Sequence, residues 1–243
     1  MKTFVFANRV MKEIIRDPIS LFFGLAFPLI LLILLSAINR SIPVDLFNIA
    51  LLAPGIAVFG LSFMALFAAQ VLAKDRASSF LTRLFTTPMT AHNFILGYML
   101  PLIIMSVIQI AFCLFAALFL GLDFTITIFA TIMMLIPMAL IYIGIGLICG
   151  TLFSEKAAIG ICGALLTNVS AWLSGVWFDL ELVGGIFKDI ANILPFVHAV
   201  EVGKSVLDGY YTNMFPHIWW VISYAVIIMV ISIFVFKRKT QEV

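Results

Sequence analysis

Six long apolar runs constrain this chain more than any other feature: Ile19–Ile38, Ile49–Leu72, Phe94–Leu120, Phe124–Phe153, Ala157–Phe178 and His217–Phe236. None holds an Asp, Glu, Lys or Arg in its interior. A helix of about 20 apolar residues crosses a hydrocarbon core of about 30 Å. Barrel strands would instead be about 10 residues long and would alternate polar with apolar. The expected fold class is therefore all-α, a polytopic membrane protein with six transmembrane helices. With 64% of the 243 residues hydrophobic and 11% charged, against about 25% charged in a soluble domain, no stretch remains for a separate soluble domain. The whole of 1–243 reads as one membrane domain: an interfacial helix at 1–18, five spans over 19–178, an outer segment at 179–216, and a last span with its tail at 217–243.

The short loops set the expected orientation, because Lys and Arg concentrate on the cytoplasmic side. Lys2, Arg9, Lys12, Arg16, Lys74, Arg76, Arg83, Lys156, Lys237, Arg238 and Lys239 fall on one side, and Arg40, Lys188 and Lys204 on the other. An even number of crossings puts both termini on the richer side, so both are predicted to be cytoplasmic. The first run follows a charged stretch and has no clear small-x-small site after it, so it is expected to be a retained span. Cys113, Cys149 and Cys162 all lie in apolar runs without ligand spacing and read as small buried hydrophobes. Pro28, Pro54, Pro101, Pro137 and the Gly146–Gly150 GxxxG read as kinks and close helix contacts. Trp219, Trp220 and Tyr224 read as interfacial anchors of the last span.

Several functions are disfavoured by what the sequence lacks. No GxxxxGK[ST] occurs, so the chain has no cradle for nucleotide phosphates and any ATP-driven motor must be a separate chain. His92, His198 and His217 are isolated in sequence, without HExxH, which argues against a metalloprotease. Spans without ionisable residues argue against proton or sodium coupling. Nothing implies a nucleic-acid partner.

Two segments outside the spans carry the functional signal. From Thr3 to Asp17 the periodicity predicts a helix with Phe6, Val10 and Ile14, and Phe4, Met11 and Ile15, on one side and Arg9, Lys12 and Arg16 on the other. This is the pattern of an amphipathic helix in the cytoplasmic interface, its basic residues toward anionic headgroups and its end set by Pro18. In the cytoplasmic loop Ala73–Asn93, a short helix is expected from Asp75 to Phe85 and to stop before Pro88. It would present Phe80, Leu81, Leu84 and Phe85 with Arg76 and Arg83 on other faces, and those four large apolar side chains need a cover, either the bilayer surface or a partner's groove.

Here the chain resembles the permease subunits of type-2 ABC transporters, mostly bacterial exporters. The resemblance rests on Lys74-Asp75-Arg76, then Ser78-Ser79, Leu81-Thr82-Arg83-Leu84 and Thr87-Pro88, in that order. It implies that Asp75, Arg76, Phe80, Leu81, Arg83, Leu84 and Phe85 belong to a coupling helix that inserts into a soluble ATPase subunit. ATP and Mg would then be held by that partner, with no cofactor or catalytic or metal site on this chain. A second match lies in Asp179–Pro216, too apolar for a free loop and too short in apolar run to span, which fits two short helices dipping into the outer leaflet. The family has such a re-entrant hairpin there, and Leu194-Pro195-Phe196, Glu201 and Asp208-Gly209 resemble its Leu-Pro, Glu and Gly.

Gln109, Thr167, Asn168 and Ser170 are the polar residues expected at membrane depth, where they serve as interhelical hydrogen-bond partners or line a substrate path. With no charge there to meet a ligand, the substrate is expected to be apolar or amphipathic: a drug, a hydrophobic peptide or a lipid-like molecule. Export, pairing with a second permease chain and two ATPase subunits follow from the resemblance. The alternative is a membrane scaffold without a motor that senses or sequesters an apolar ligand.

Overall fold

The computed structural model describes residues 2–41, 48–78, 91–178 and 180–241, and among these every regular element is helical. In chain order they are α1 (Lys2–Ile15), α2 (Pro18–Arg40), α3 (Ile49–Ala77), α4 (Ala91–Phe119), α5 (Thr127–Leu152), α6 (Glu155–Leu173), α7 (Leu180–Val183), α8 (Gly185–Ile193), α9 (Pro195–Leu207) and α10 (Tyr211–Gln241). Six of the described helices, α2 to α6 and α10, are long and apolar enough to cross a membrane. The six expected spans are thus all present, with shifted ends. The third helix runs on to Ala77, the sixth stops at Leu173, and α10 starts at Tyr211.

The third helix is apolar on every face and buried on every face, which makes it the post around which the others pack. Against it lie α5, α4, α9, α6 and α2, while α10 packs on α5 and α9, and α1 lies on α4. The α3–α5 contact is closest where α5 lacks side chains. A Cβ on Gly146 would fall 2.2 Å from the Ala65 carbonyl oxygen, and one on Gly150 would fall 2.8 Å from that of Ala69. Backbone-to-backbone approach of this kind is what small residues provide in membrane helix pairs, where apolar burial alone offers no drive.

Two spans carry a turn of π-helix, Phe22–Ala26 in α2 and Ile161–Leu166 in α6. Each widened turn holds a glycine facing α3: a Cβ on Gly24 would meet the Phe67 ring at 2.6 Å, and one on Gly163 would meet Leu66 at 3.2 Å. In α5 the helix breaks at Leu135, so that Pro137 stands in the first turn of the second segment, where its missing N–H costs nothing. The outer faces of α2, α4 and α10 expose apolar residues such as Ile30, Ile33, Phe112, Val226 and Val230, as surfaces that meet lipid or another chain do.

Candidate functional site

The end of α3 is tied to three other helices by its last charged residues. The Asp75 carboxylate is nearly inaccessible, with 2% of its side-chain area exposed. Arg9 on α1 donates to both of its oxygens, from Nη1 to Oδ2 at 2.5 Å and from Nη2 to Oδ1 at 2.6 Å. The Tyr98 hydroxyl on α4 donates to Oδ2 at 2.7 Å. A two-pronged guanidinium is the geometry that best offsets the desolvation of a carboxylate. Partial burial works against the Arg9 charge, but its hydrogen bond and attraction to Asp75 outweigh that, and its pKa is raised. Glu13, one turn further along α1, pairs with Arg9 at 2.9 Å and with Lys74 at 3.2 Å. The ring of Phe6 meets Phe94 and Tyr98 edge-on, with centroids 5.7 and 4.9 Å away.

The next residue holds the other side. Arg76 Nη1 donates to the carbonyl oxygens of Gly150 (2.8 Å) and Phe153 (3.1 Å). These lie at the C-terminal end of α5, where unpaired carbonyls and the helix dipole favour a cation. The sequence predicts a new helix beginning at Asp75, but Asp75 and Arg76 instead sit in the last turns of α3 and fix it to α1, α4 and α5. Phe80, Leu81, Arg83, Leu84 and Phe85 lie outside the described residues, immediately after this fixed end.

On α1 the burial divides the predicted apolar side. Phe6, Val10 and Ile14 are buried, whereas Phe4 and Ile15 are exposed. At the start of α2, Asp17 caps the helix, accepting from the Ile19 and Ser20 amides and the Ser20 hydroxyl, and from Gln70 Nε2 on α3 at 3.3 Å. The hydrogen bond from the Ser20 hydroxyl, aided by those from the backbone, holds the Asp17 pKa below its usual value despite some desolvation.

The four polar residues expected at depth do not converge. Gln109 is fully buried, its Nε2 on Cys113 Sγ at 3.3 Å and its Oε1 unpaired among the described residues. It fills the space that Gly60 leaves open, where a Cβ would come within 2.1 Å of Nε2. Thr167, Asn168 and Ser170 bond back to their own helix, at Cys162, Ala164 and Thr167 carbonyls. All three bonds are internal to α6.

At the other end of the spans, α8 and α9 meet at Leu194 with a bend of 74°. Pro195 occupies the first turn of α9, where proline is at home. That helix ends at Leu207, and Gly209 just beyond it has a φ of +78° that suits glycine, with the Tyr210 amide donating to the Ser205 carbonyl and the Gly209 amide to that of Val206. Glu201 and Lys204 face a cavity of about 690 Å³, lined also by Trp177 and His217. Sequence reasoning left His198 and His217 apart, yet their Nδ1 atoms lie 2.8 Å from each other. His198 Nε2 is 2.8 Å from the Asn192 carbonyl oxygen, which can only accept. That fixes the His198 tautomer in the neutral pair and makes His217 the donor between the rings. Trp220 stacks on His198, and the Tyr224 hydroxyl donates to the Ile193 carbonyl. Two of the three aromatic residues expected as anchors, Trp220 and Tyr224, thus brace the bend between α8 and α9, while Trp219 is exposed. Only their helical spacing at 217, 220 and 224 signalled a shared face.

The family model described as ABC-2 type transporter matches residues 1–207, which takes in α1 through α9. The chain belongs to the ABC-2 type transporter family. It is also 32% identical over 120 residues to the "Putative transport permease ycf38" of Pyropia yezoensis and, to the same extent, to that of Porphyra purpurea. Each alignment covers 47% of this chain and 41% of the relative, so the chain matches about two fifths of the length of these curated relatives. As an ABC-2 type chain it is a multi-pass membrane protein, and the Arg9–Asp75–Tyr98 clasp and the bent α8–α9 pair both fall within the matched residues.

Proposed function

We propose that this chain is the membrane-spanning subunit of an ATP-driven exporter, and that the segment following α3 is where a soluble ATPase subunit transmits its motion. The observation that carries this reading is the double attachment of the α3 end. Arg9 and Tyr98 hold Asp75 while Arg76 holds the end of α5, so a push on residues 79–85 reaches α1, α4 and α5 together. Family membership supports an ABC ATPase as the partner. Both ends of the chain are cytoplasmic in this reading, α1 lies in the inner interface, and the bent α8–α9 pair dips into the outer leaflet. A second permease chain completes the path, and the substrate is apolar or amphipathic, since Asp, Glu, Lys and Arg are missing from the interiors of the six apolar runs.

The test is Leu81→Asp and Leu84→Asp. Each removes the burial of a Leu side chain, worth roughly 1.5–3 kcal/mol, and the docked complex should lose more than about tenfold in affinity. The variants should insert at normal abundance, fail to retain the ATPase on purification and fail to export. Arg83→Ala should do less, since a rim charge acts mainly on association rate. Full ATPase retention and transport by both Leu variants would make this segment an interfacial anchor and end the reading.

A further inference from the structure

A cavity of about 770 Å³ opens between α1, the start of α2 and the end of α3. One stripe of α1 lines it, Val5, Asn8, Arg9, Lys12, Glu13 and Arg16, with Ser20, Gln70 and Lys74 opposite. Its two acidic groups are already matched. Glu13 is paired with Arg9 and Lys74, and Asp17 is taken up by the Ser20 hydroxyl, the first amides of α2 and Gln70. Arg9 is committed to Asp75 as well. Lys12 and Arg16, one turn apart and both exposed to the cavity, make no side-chain hydrogen bond or ion pair among the described residues. The lining therefore holds four basic residues, Arg9, Lys12, Arg16 and Lys74, against two acidic ones whose oxygens already accept hydrogen bonds or ion pairs, which leaves the cavity net positive with Lys12 and Arg16 the cations without a partner among the described residues.

Beside those charges the wall is apolar and open. Val5 is 70% exposed and lines the cavity, and Ile19, 68% exposed, stands at the start of α2 between the lining residues Pro18 and Ser20. A ligand that satisfies both halves has a phosphate at one end and hydrocarbon at the other. We propose that this cavity binds the headgroup of one anionic phospholipid, its phosphodiester between Lys12 and Arg16 and its acyl chains along Ile19. The amide groups of Asn8 and Gln70 lie within the same cavity for headgroup hydroxyls. A zwitterionic headgroup brings a cation for which no acceptor remains, so the site discriminates by charge. This rests on α1 lying at the bilayer surface, and on nothing about the ATPase or the direction of transport.

The full chain, purified in neutral detergent, is titrated with phosphatidylglycerol, with phosphatidylcholine of the same acyl chains, and with inorganic phosphate, bound lipid being counted by native mass spectrometry. Phosphatidylglycerol should be retained and phosphatidylcholine not. Each basic residue near an anionic lipid surface is worth about fivefold, so Lys12→Gln/Arg16→Gln should weaken phosphatidylglycerol binding about 25-fold. Lys156→Gln, on the same side of the spans but away from the cavity, should leave it unchanged. Equal retention of the two lipids, or unchanged binding in the double variant, overturns the site. Competition by inorganic phosphate at the same concentration makes it a free-anion site and overturns the lipid. A nitroxide at Val5 reports the depth of α1 separately: an interfacial probe with no lipid selectivity removes the site alone, and a probe in bulk water removes the placement of α1 as well.

Discussion

Replacing Arg9 by Met should loosen α1 more than replacing its partner Asp75 by Asn. The asymmetry follows from exposure: 36% of the Arg9 side chain but only 2% of the Asp75 side chain is accessible. Without Arg9 the carboxylate stays buried with only the Tyr98 hydroxyl for company, and stranding a buried charge costs about 3–5 kcal/mol. In Asp75→Asn the buried group becomes a neutral amide, and Arg9 could turn to water beside Glu13, so the loss is that of hydrogen bonds to a charged group, roughly 1.5–3 kcal/mol. Against either loss stands the burial of Phe6, Val10 and Ile14 on α4, worth about 1.5–3 kcal/mol each before the entropy of ordering α1 is subtracted. The Arg9→Met loss is of the same order as that anchorage, so α1 should undock while the spans remain assembled. Hydrogen exchange of residues 2–15 in lipid measures this local opening directly. Protection should fall most in Arg9→Met and less in Asp75→Asn. The double variant should fall short of the sum by at least about 1 kcal/mol, because the stranded charge has gone. Equal effects of the two single variants, or additivity within about 0.5 kcal/mol, would refute a clasp whose cost is set by the buried carboxylate.

Gly146→Leu should separate α3 from α5 and destabilise the protein by at least about 1–3 kcal/mol, whereas Gly160→Ala, whose Cβ meets nothing within 4 Å, should be neutral or gain about 0.5–1 kcal/mol of helix stability. Equal thermal stability of the two in detergent would deny the close contact. Asp17→Ala should cost about 1 kcal/mol through loss of the α2 cap. Because the folded Asp17 pKa lies below its ordinary value of 3.8, that difference should hold from pH 5 to pH 8 and shrink as the pH falls through the folded value; a difference that vanishes at pH 7 would show that the cap contributes nothing. Single cysteines placed near Lys188 should react with an impermeant thiol reagent in intact cells, in a background with Cys113, Cys149 and Cys162 replaced. Those near Arg83 and Lys237 should not react, and the reverse pattern would invert the proposed orientation.

The sequence by itself determined the six helices, because a run of apolar residues that long has one way to satisfy its backbone in lipid. It also determined that α1 has one apolar and one basic side, since a 3.6-residue repeat is a local property. The resemblance to the family marked Pro195 and Asp208-Gly209, and they stand at the start and just beyond the end of α9, where their backbone preferences suit the adjoining turn. Where an outcome depended on which helix comes to lie against which, sequence was silent or misplaced the residue. Asp75 read as a good helix start, but burial against α1 and α4 and pairing with Arg9, 66 positions away, make it part of the end of α3. The cation on Arg16 and the cation on Arg9 look alike in a helical repeat, yet one meets a buried carboxylate and the other faces an open cavity. His198 and His217 became partners only because α10 folds back along α9. That Gln109 fills the notch left by Gly60 on the neighbouring helix is likewise a matter of packing that no local pattern carries. Periodicity fixes the face a residue occupies, and only the packing of helices distant in sequence decides what that face meets.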